Sequence, residues 1–179
     1  MGKQIKGVLV TRDEISRFVN KLANEISNDY QGNEIVIIGI LKGSFIFLAD
    51  LVRQITIPVR IDFMSVSSYY GSTKSSGIVK IIKDLDVNIA GRHVLIVEDI
   101  VDSGTTLQHL KDLLLTREPA SLRICTALDK PAGRKTHVDV DYIGMEIPDE
   151  FIVGYGLDFD EQYRNLPDIC ILADEGGRE

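Results

Sequence analysis

The run Val94-Leu-Ile-Val-Glu-Asp-Ile-Val-Asp-Ser-Gly-Thr-Thr-Leu107 constrains this chain more than any other segment. Four apolar residues, Val94 to Val97, have the unbroken hydrophobicity of a strand covered on both faces, as inside a parallel sheet. Glu98 and Asp99 stand where that strand is expected to run out, and Asp102 opens the turn Asp102-Ser103-Gly104-Thr105-Thr106. Leu107, Leu110, Leu113 and Leu114 then recur at helical spacing. A small, hydroxyl- and glycine-rich turn entering a helix offers several backbone N–H groups and a positive dipole end to one phosphate. Ligands of open α/β sheets bind beyond the carboxyl ends of strands. The segment therefore joins a phosphate cup to an acidic rim suited to sugar hydroxyls or Mg²⁺, and a phosphorylated sugar satisfies both. Neither G-x-x-x-x-G-K-[ST] nor G-x-G-x-x-G occurs anywhere in the chain, which removes the two commonest nucleotide-phosphate loops.

The surrounding pattern alternates strands and helices. Thr11-x-x-Glu14 is a capping box, followed by Ile15, Phe18, Val19, Leu22 and Ile26 on one helical face. Glu34 to Ile40 reads as a buried strand, Ser44 to Ile55 as a helix closed by Pro58, and Val59 to Ser67 as a strand. Ile78 to Ile82 returns as a second, antiparallel strand after the small, polar and aromatic segment Ser68 to Gly77. Strands at Leu122 to Leu128, Tyr142-Ile143 and Ile169 to Leu172 complete the series. The alternation predicts an α/β protein with a mostly parallel sheet and helices on both faces. The ten residues from Ser68 to Gly77 are long for a hairpin loop, and loops of that length often serve as active-site lids. Gly39-Ile-Leu-Lys-Gly-Ser44 leaves a buried strand and opens a helix, so Lys42 and the helix amides form a second anion cup.

Composition narrows the function. With 179 residues the chain is expected to fold as one domain, burying about two-thirds of its surface. A net charge of −7 argues against a nucleic-acid surface but not against a small anion held by amides. The apolar runs are too short to span a bilayer and no secretory leader is evident, so a cytoplasmic protein is expected. Cys125 and Cys170 lie in apolar strands and read as reduced packing residues. His93, His109 and His137 have no metal-ligand spacing and receive no role.

The Val94–Leu107 run resembles the phosphoribosyl-pyrophosphate (PRPP) motif of type I phosphoribosyltransferases. With Gly39–Ser44, Leu128-Asp-Lys130-Pro and Ile147-Pro-Asp-Glu-Phe151-Ile-Val-Gly-Tyr155-Gly-Leu-Asp158, it is most similar to the bacterial hypoxanthine-guanine branch, over nearly the whole chain. The resemblance implies a twisted, mostly parallel sheet flanked by helices, a flap hairpin at about 67–78 and a small C-terminal hood mainly at 145–179. It implies transfer of phosphoribose from PRPP to hypoxanthine or guanine, giving IMP or GMP and pyrophosphate, with Mg²⁺. By the same resemblance Glu98 and Asp99 hold the ribose hydroxyls with one metal, Asp102 is the base, and Ser103, Gly104, Thr105 and Thr106 wrap the 5-phosphate. Leu41, Lys42 and Gly43 form a pyrophosphate loop whose Leu41–Lys42 peptide is often cis in the family. Ser68-Tyr69 closes over the pyrophosphate, although Ser67 and Tyr70 permit another alignment, and Arg164 grips the leaving pyrophosphate. Lys130 donates to the 6-oxygen of the purine, Phe151 stacks on its ring, the Ile152 backbone reads its edge, and Asp158 holds a Mg²⁺. An ammonium has only donors, so Lys130 would favour a 6-oxo over a 6-amino base. Dimers or tetramers are usual in such enzymes. The alternatives are a xanthine-preferring enzyme and a nucleotide-sensing RNA-binding regulator on the same fold, which would want a basic face.

Overall fold

The first helix starts where its sequence says it should. Thr11 Oγ1 accepts from the Glu14 N–H at 3.3 Å, and Glu14 Oε2 accepts from the Thr11 N–H at 2.8 Å. In the computed structural model, which describes residues 4–68 and 79–173, this box opens α1. The element order is β1 (Ile5–Val10), α1 (Arg12–Asp29), β2 (Ile35–Leu41), α2 (Phe45–Gln54), β3 (Val59–Ser68), β4 (Val79–Lys83), β5 (His93–Val101), α3 (Thr105–Leu115), β6 (Ser121–Asp129), a 3₁₀ turn (Pro131–Gly133), β7 (Tyr142–Glu146), β8 (Ile152–Val153) and β9 (Ile169–Leu172).

Six strands form the main sheet in the order β4-β3-β2-β5-β6-β7. All neighbours are parallel except β4, which returns antiparallel on β3. The middle stretches of the central strands, Ile35–Ile38 of β2 and Val94–Val97 of β5, are unbroken apolar runs because both faces are covered. Ile35, Ile37, Leu95, Val97 and Cys125 point towards α1 and α2, where Phe18, Leu22, Phe47 and Leu51 close one core. Val36, Ile38, Val94, Ile96 and Ile124 point the other way, onto Leu107, Leu110 and Leu114 of α3. Leu22, Phe47 and Leu51 are fully buried, and truncating any one to alanine would cost about 2–5 kcal/mol.

This topology creates one crevice. β2 leads through α2 to β3 on one side, and β5 leads through α3 to β6 on the other, so the connections diverge between β2 and β5. Pairing of β5 with β2 ends at Gly39↔Val97, whereas pairing with β6 continues to Val101↔Asp129. The last four residues of β5 therefore have a free edge facing the loop after β2, the place where open α/β sheets bind ligands. The acids Glu98 and Asp99 lie inside β5 rather than beyond its end, because the ladder with β6 carries the strand past them to Val101.

A second, three-stranded antiparallel sheet, ordered β1-β9-β8, packs the chain's first strand against its last. Neither β1 nor β8 was expected. β1 leaves Ile5 and Val8 exposed, so its apolar pattern is poor, and β8 is two residues long. Cys125 and Cys170 are buried and unbridged, and burial pushes both thiols up. His93 Nδ1 lies 2.8 Å from Ser121 Oγ, His137 pairs with Asp139 on the surface, and His109 is exposed. Among the described residues no helix is long and apolar enough to cross a membrane.

Candidate active site

The turn expected to cup a phosphate sits at the entrance to α3. Gly104 is the cap residue of that helix and has φ +78°, so it brings no side chain to the first-turn amides. Its left-handed backbone and its closeness to the Thr136 carbonyl both require glycine, since a Cβ would overlap that oxygen. Thr105 and Thr106 lie in the helix's first turn rather than in a free loop. The segment after the 3₁₀ turn braces the cup. Ser103 O accepts from the N–H groups of Lys135 at 2.9 Å and Thr136 at 3.0 Å. Thr105 Oγ1 and Thr136 Oγ1 are 2.9 Å apart. Arg134 donates through Nε to Asp102 O at 3.1 Å and forms an ion pair with Asp129. Nothing local in the sequence marks Arg134 or Thr136 as a brace for a turn, since they lie 32 and 31 positions from their partners.

Beside the cup are the two acids. The Asp99 carboxylate accepts from the Ile100 N–H at 2.7 Å, and Glu98 Oε2 from the Asp99 N–H at 3.3 Å. Burial, reinforced by the Asp99 charge, pushes Glu98 well above the usual carboxylate range. Asp99 is also raised by burial, against the opposing pull of the Ile100 N–H and of the Arg164 charge. Neighbouring acids pushed upward in this way form a donor set that a divalent cation would suit.

The loop after β2 closes the other wall. The Leu41–Lys42 peptide is cis, and Ser44 Oγ is buried and donates to Ile40 O at 2.7 Å. A Cβ on Gly43 would overlap Asp99 Oδ2, and one on Gly156 would overlap the Gly43 carbonyl oxygen. Acid, loop and C-terminal segment are thus stacked through two glycines with no room for a methyl group. Lys42 Nζ lies 2.8 Å from Glu161 Oε2, and that contact holds the Glu161 carboxyl below its usual range.

On the side of β6, Lys130 Nζ is 3.0 Å from Asp102 Oδ2 and 3.3 Å from Asp149 Oδ1, with only 13% of its side chain exposed. Burial alone would lower its pKa, but hydrogen bonds to the two carboxylates outweigh it and hold the ammonium above its usual value. Phe151 is 43% exposed, with its ring 5.7 Å from that of Phe159 at 86°. Ile152 is buried and its backbone pairs with Ile171 in the small sheet.

Asp158 and Arg164 are brought to one another. Arg164 Nη2 is 2.9 Å from Asp158 Oδ1, and Nη1 donates to Gly156 O at 2.7 Å, while Nε is buried without a hydrogen-bond partner. Glu98, Asp99 and Asp158 do not form a ready-made cage: among the described residues no three His, Cys, Asp or Glu side chains come together as ligands. Ser68 ends β3, and Tyr69 with the rest of the expected flap to residue 78 lies outside the described residues. A separate cleft of about 450 Å³ between α1, α2 and Asn165–Pro167 contains none of the candidate residues.

A mostly parallel sheet with a glycine-capped helix entrance and an acid pair at its switch point is an α/β arrangement suited to a phosphorylated sugar. The phosphoribosyl transferase domain family matches residues 11–160, and the chain belongs to that family. Its relatives include the hypoxanthine-guanine phosphoribosyltransferase of Streptococcus pneumoniae, 51% identical over 171 residues, covering 96% of this chain and 95% of that protein. The Bacillus subtilis enzyme of the same name is 50% identical, covering 96% of each. Among solved structures, the hypoxanthine phosphoribosyltransferase of Staphylococcus aureus superposes with a TM-score of 0.92 at 48% identity, covering 98% of this chain and 95% of that one.

Proposed function

We propose that the chain is a purine salvage enzyme that moves the 5-phosphoribosyl group of PRPP onto hypoxanthine or guanine. The observation that carries this reading is the meeting of Lys130 and Asp102, 3.0 Å apart, at the rim of the phosphate cup. A buried ammonium suits a 6-oxo group, and the adjoining carboxylate suits an imidazole N–H. One purine edge presents both.

Amides and hydroxyls of Ser103, Gly104, Thr105 and Thr106 hold the 5-phosphate, a handle remote from the chemistry that fixes C1 of the ribose. Glu98 and Asp99 hold the ribose hydroxyls, and Leu41, Lys42 and Gly43, with Arg164, hold the pyrophosphate. Phe151 covers the face of the base, and the Ile152 backbone meets its edge. Ser68 and Tyr69, the latter outside the described residues, are assigned to covering the pyrophosphate and keeping water from it. The C1–oxygen bond breaks with its electron pair leaving on pyrophosphate. One imidazole nitrogen of the purine forms the new bond to C1, while Asp102 takes the proton from the other. Glu98, Asp99 and, with pyrophosphate present, Asp158 would hold Mg²⁺. Bound there, the ion supplies charge neutralisation to the departing pyrophosphate.

The raised acid pair would be relieved by a cation at that point, and two neighbouring carboxylates suit Mg²⁺, which is usually held by one or two carboxylates plus substrate phosphates. The two unbridged, buried thiols fit a reducing compartment and support a cytoplasmic location; assembly as a dimer or tetramer is part of the same proposal. Incubation with PRPP, Mg²⁺ and each of hypoxanthine, guanine, xanthine and adenine tests the reading. IMP and GMP are expected. A preference for adenine, or no nucleotide at all, would refute it.

A further inference from the structure

Phe159-Asp160-Glu161-Gln162 closes as a two-residue hairpin. Phe159 and Gln162 exchange both backbone hydrogen bonds, at 3.2 and 3.0 Å. Asp160 and Glu161 between them have φ of 51° and 59°. Positive φ at both central residues is the type I′ arrangement, normally filled by Asn-Gly or Asp-Gly. Aspartate tolerates it because its short side chain bonds locally, whereas glutamate has no such relief. The position that favours glycine here carries a long carboxylate.

That carboxylate spans two cations. Oε2 lies 2.8 Å from Lys42 Nζ and Oε1 lies 3.5 Å from Arg164 Nη2. The turn is held by the Glu161 N–H donating to Asp158 Oδ2 at 2.9 Å. Arg164 also keeps a buried Nε without a partner, so the protein leaves its donor set incomplete. Backbone that accepts an unfavourable conformation to deliver one side chain points to a use for that side chain.

We propose that Glu161 is a built-in stand-in for pyrophosphate, a latch that occupies Lys42 and Arg164 while the leaving group is absent and competes with it for them. The inference rests on the assignment of Lys42 and Arg164 to the pyrophosphate. Glu161 is 65% exposed, so it swings away without disturbing any core. Its pair with Lys42 is exposed on both sides and therefore weak, and its contact with the largely buried Arg164 is long at 3.5 Å, that nitrogen lying closer to Asp158 at 2.9 Å. Weakness suits a latch that pyrophosphate must displace in every turnover. A carboxylate that returns to the cations as the product loosens also speeds its departure.

Calorimetric titration of magnesium pyrophosphate into the wild type, Glu161→Gln and Glu161→Gly tests this. Glutamine removes the charge and keeps the size; glycine removes the side chain and relieves the turn. Both variants should bind about two- to tenfold more tightly than wild type, the range open to one exposed ion pair and one long one. The advantage should shrink as salt is raised. Equal or weaker binding by both variants overturns the latch. If the wild type binds no pyrophosphate, the assignment of Lys42 and Arg164 falls first and the latch falls with it.

Discussion

Lys130 and Asp102 form an ion pair of 3.0 Å in which the lysine is nearly buried and the carboxylate is half exposed. The arrangement holds the ammonium in place and leaves the carboxylate open to solvent, as the proposed role of Asp102 in taking a proton from an incoming base requires. Gly133 allows it, since a Cβ there would overlap Asp102 Oδ1.

Replacing Asp102 with asparagine keeps the shape and removes the proton acceptor. Turnover should fall by roughly 10²–10⁴, the usual worth of general base help, while the dissociation constant for PRPP stays within a fewfold of wild type. Steady-state kinetics paired with PRPP titration would check this. Near-normal turnover would strip Asp102 of its role.

Lys130→Ala removes a buried, charged donor. The kcat/KM for hypoxanthine and guanine should drop about tenfold or more, as expected for a hydrogen bond to a charged group, and their advantage over adenine should narrow. Competition assays with the three bases would measure the change. Unaltered selectivity would contradict 6-oxo recognition by this residue.

Gly43→Ala forces a methyl group into Asp99 Oδ2. Either the acid or the loop must move, and both belong to the same crevice. Binding of PRPP should weaken by at least about tenfold, in keeping with the large cost of small misplacements in a catalytic site. Circular dichroism should remain that of a folded protein. A variant that binds PRPP normally would show that the stack has slack.

Stability in acid should report on Asp62. This nearly buried carboxylate in β3 accepts from the N–H groups of Phe63 at 2.7 Å, Asp86 at 2.8 Å and Val87 at 3.0 Å, with Lys83 at 3.6 Å. Burial pushes its pKa up, but these bonds outweigh it and hold it below the ordinary aspartate value of 3.8. A depressed folded value means that the stabilisation is complete above 3.8 and disappears as pH falls through the lower, folded value. Asp62→Asn should cost about 1–3 kcal/mol at neutral pH, and its deficit against wild type should narrow in acid. Urea melts across pH 2.5 to 7 would follow it. A constant deficit would remove the charge from the explanation.

Sequence patterning identified the layered α/β architecture because the buried strands announce themselves: no residue from Ile35 to Ile40 could sit on a wet surface, and all six are buried. Ser103-Gly104-Thr105-Thr106 was legible for a similar reason, since few other turns combine such small residues with a helix start. Long-range partners were not legible. Arg134, Thr136 and Glu161 have ordinary local sequences, and only folding sets them beside Asp102, Thr105 and Lys42. β1 has no legible pattern because Lys6 and Gly7 interrupt its apolar residues, and its exposed face gives the alternation little to report. In the sequence Glu98 and Asp99 look like the end of their strand, while the ladder with β6 keeps them in line.

The contact of Gly156 on Gly43, and of Gly43 on Asp99, has a further bearing on how such a molecule can vary. Two missing side chains act as a spacer of zero thickness, so the wall carrying Asp99 and the segment that leads back to Phe151 share one rigid datum. If those two walls serve the sugar and the base as proposed, redesign of base specificity through that segment has to leave both positions bare to avoid retuning the other end.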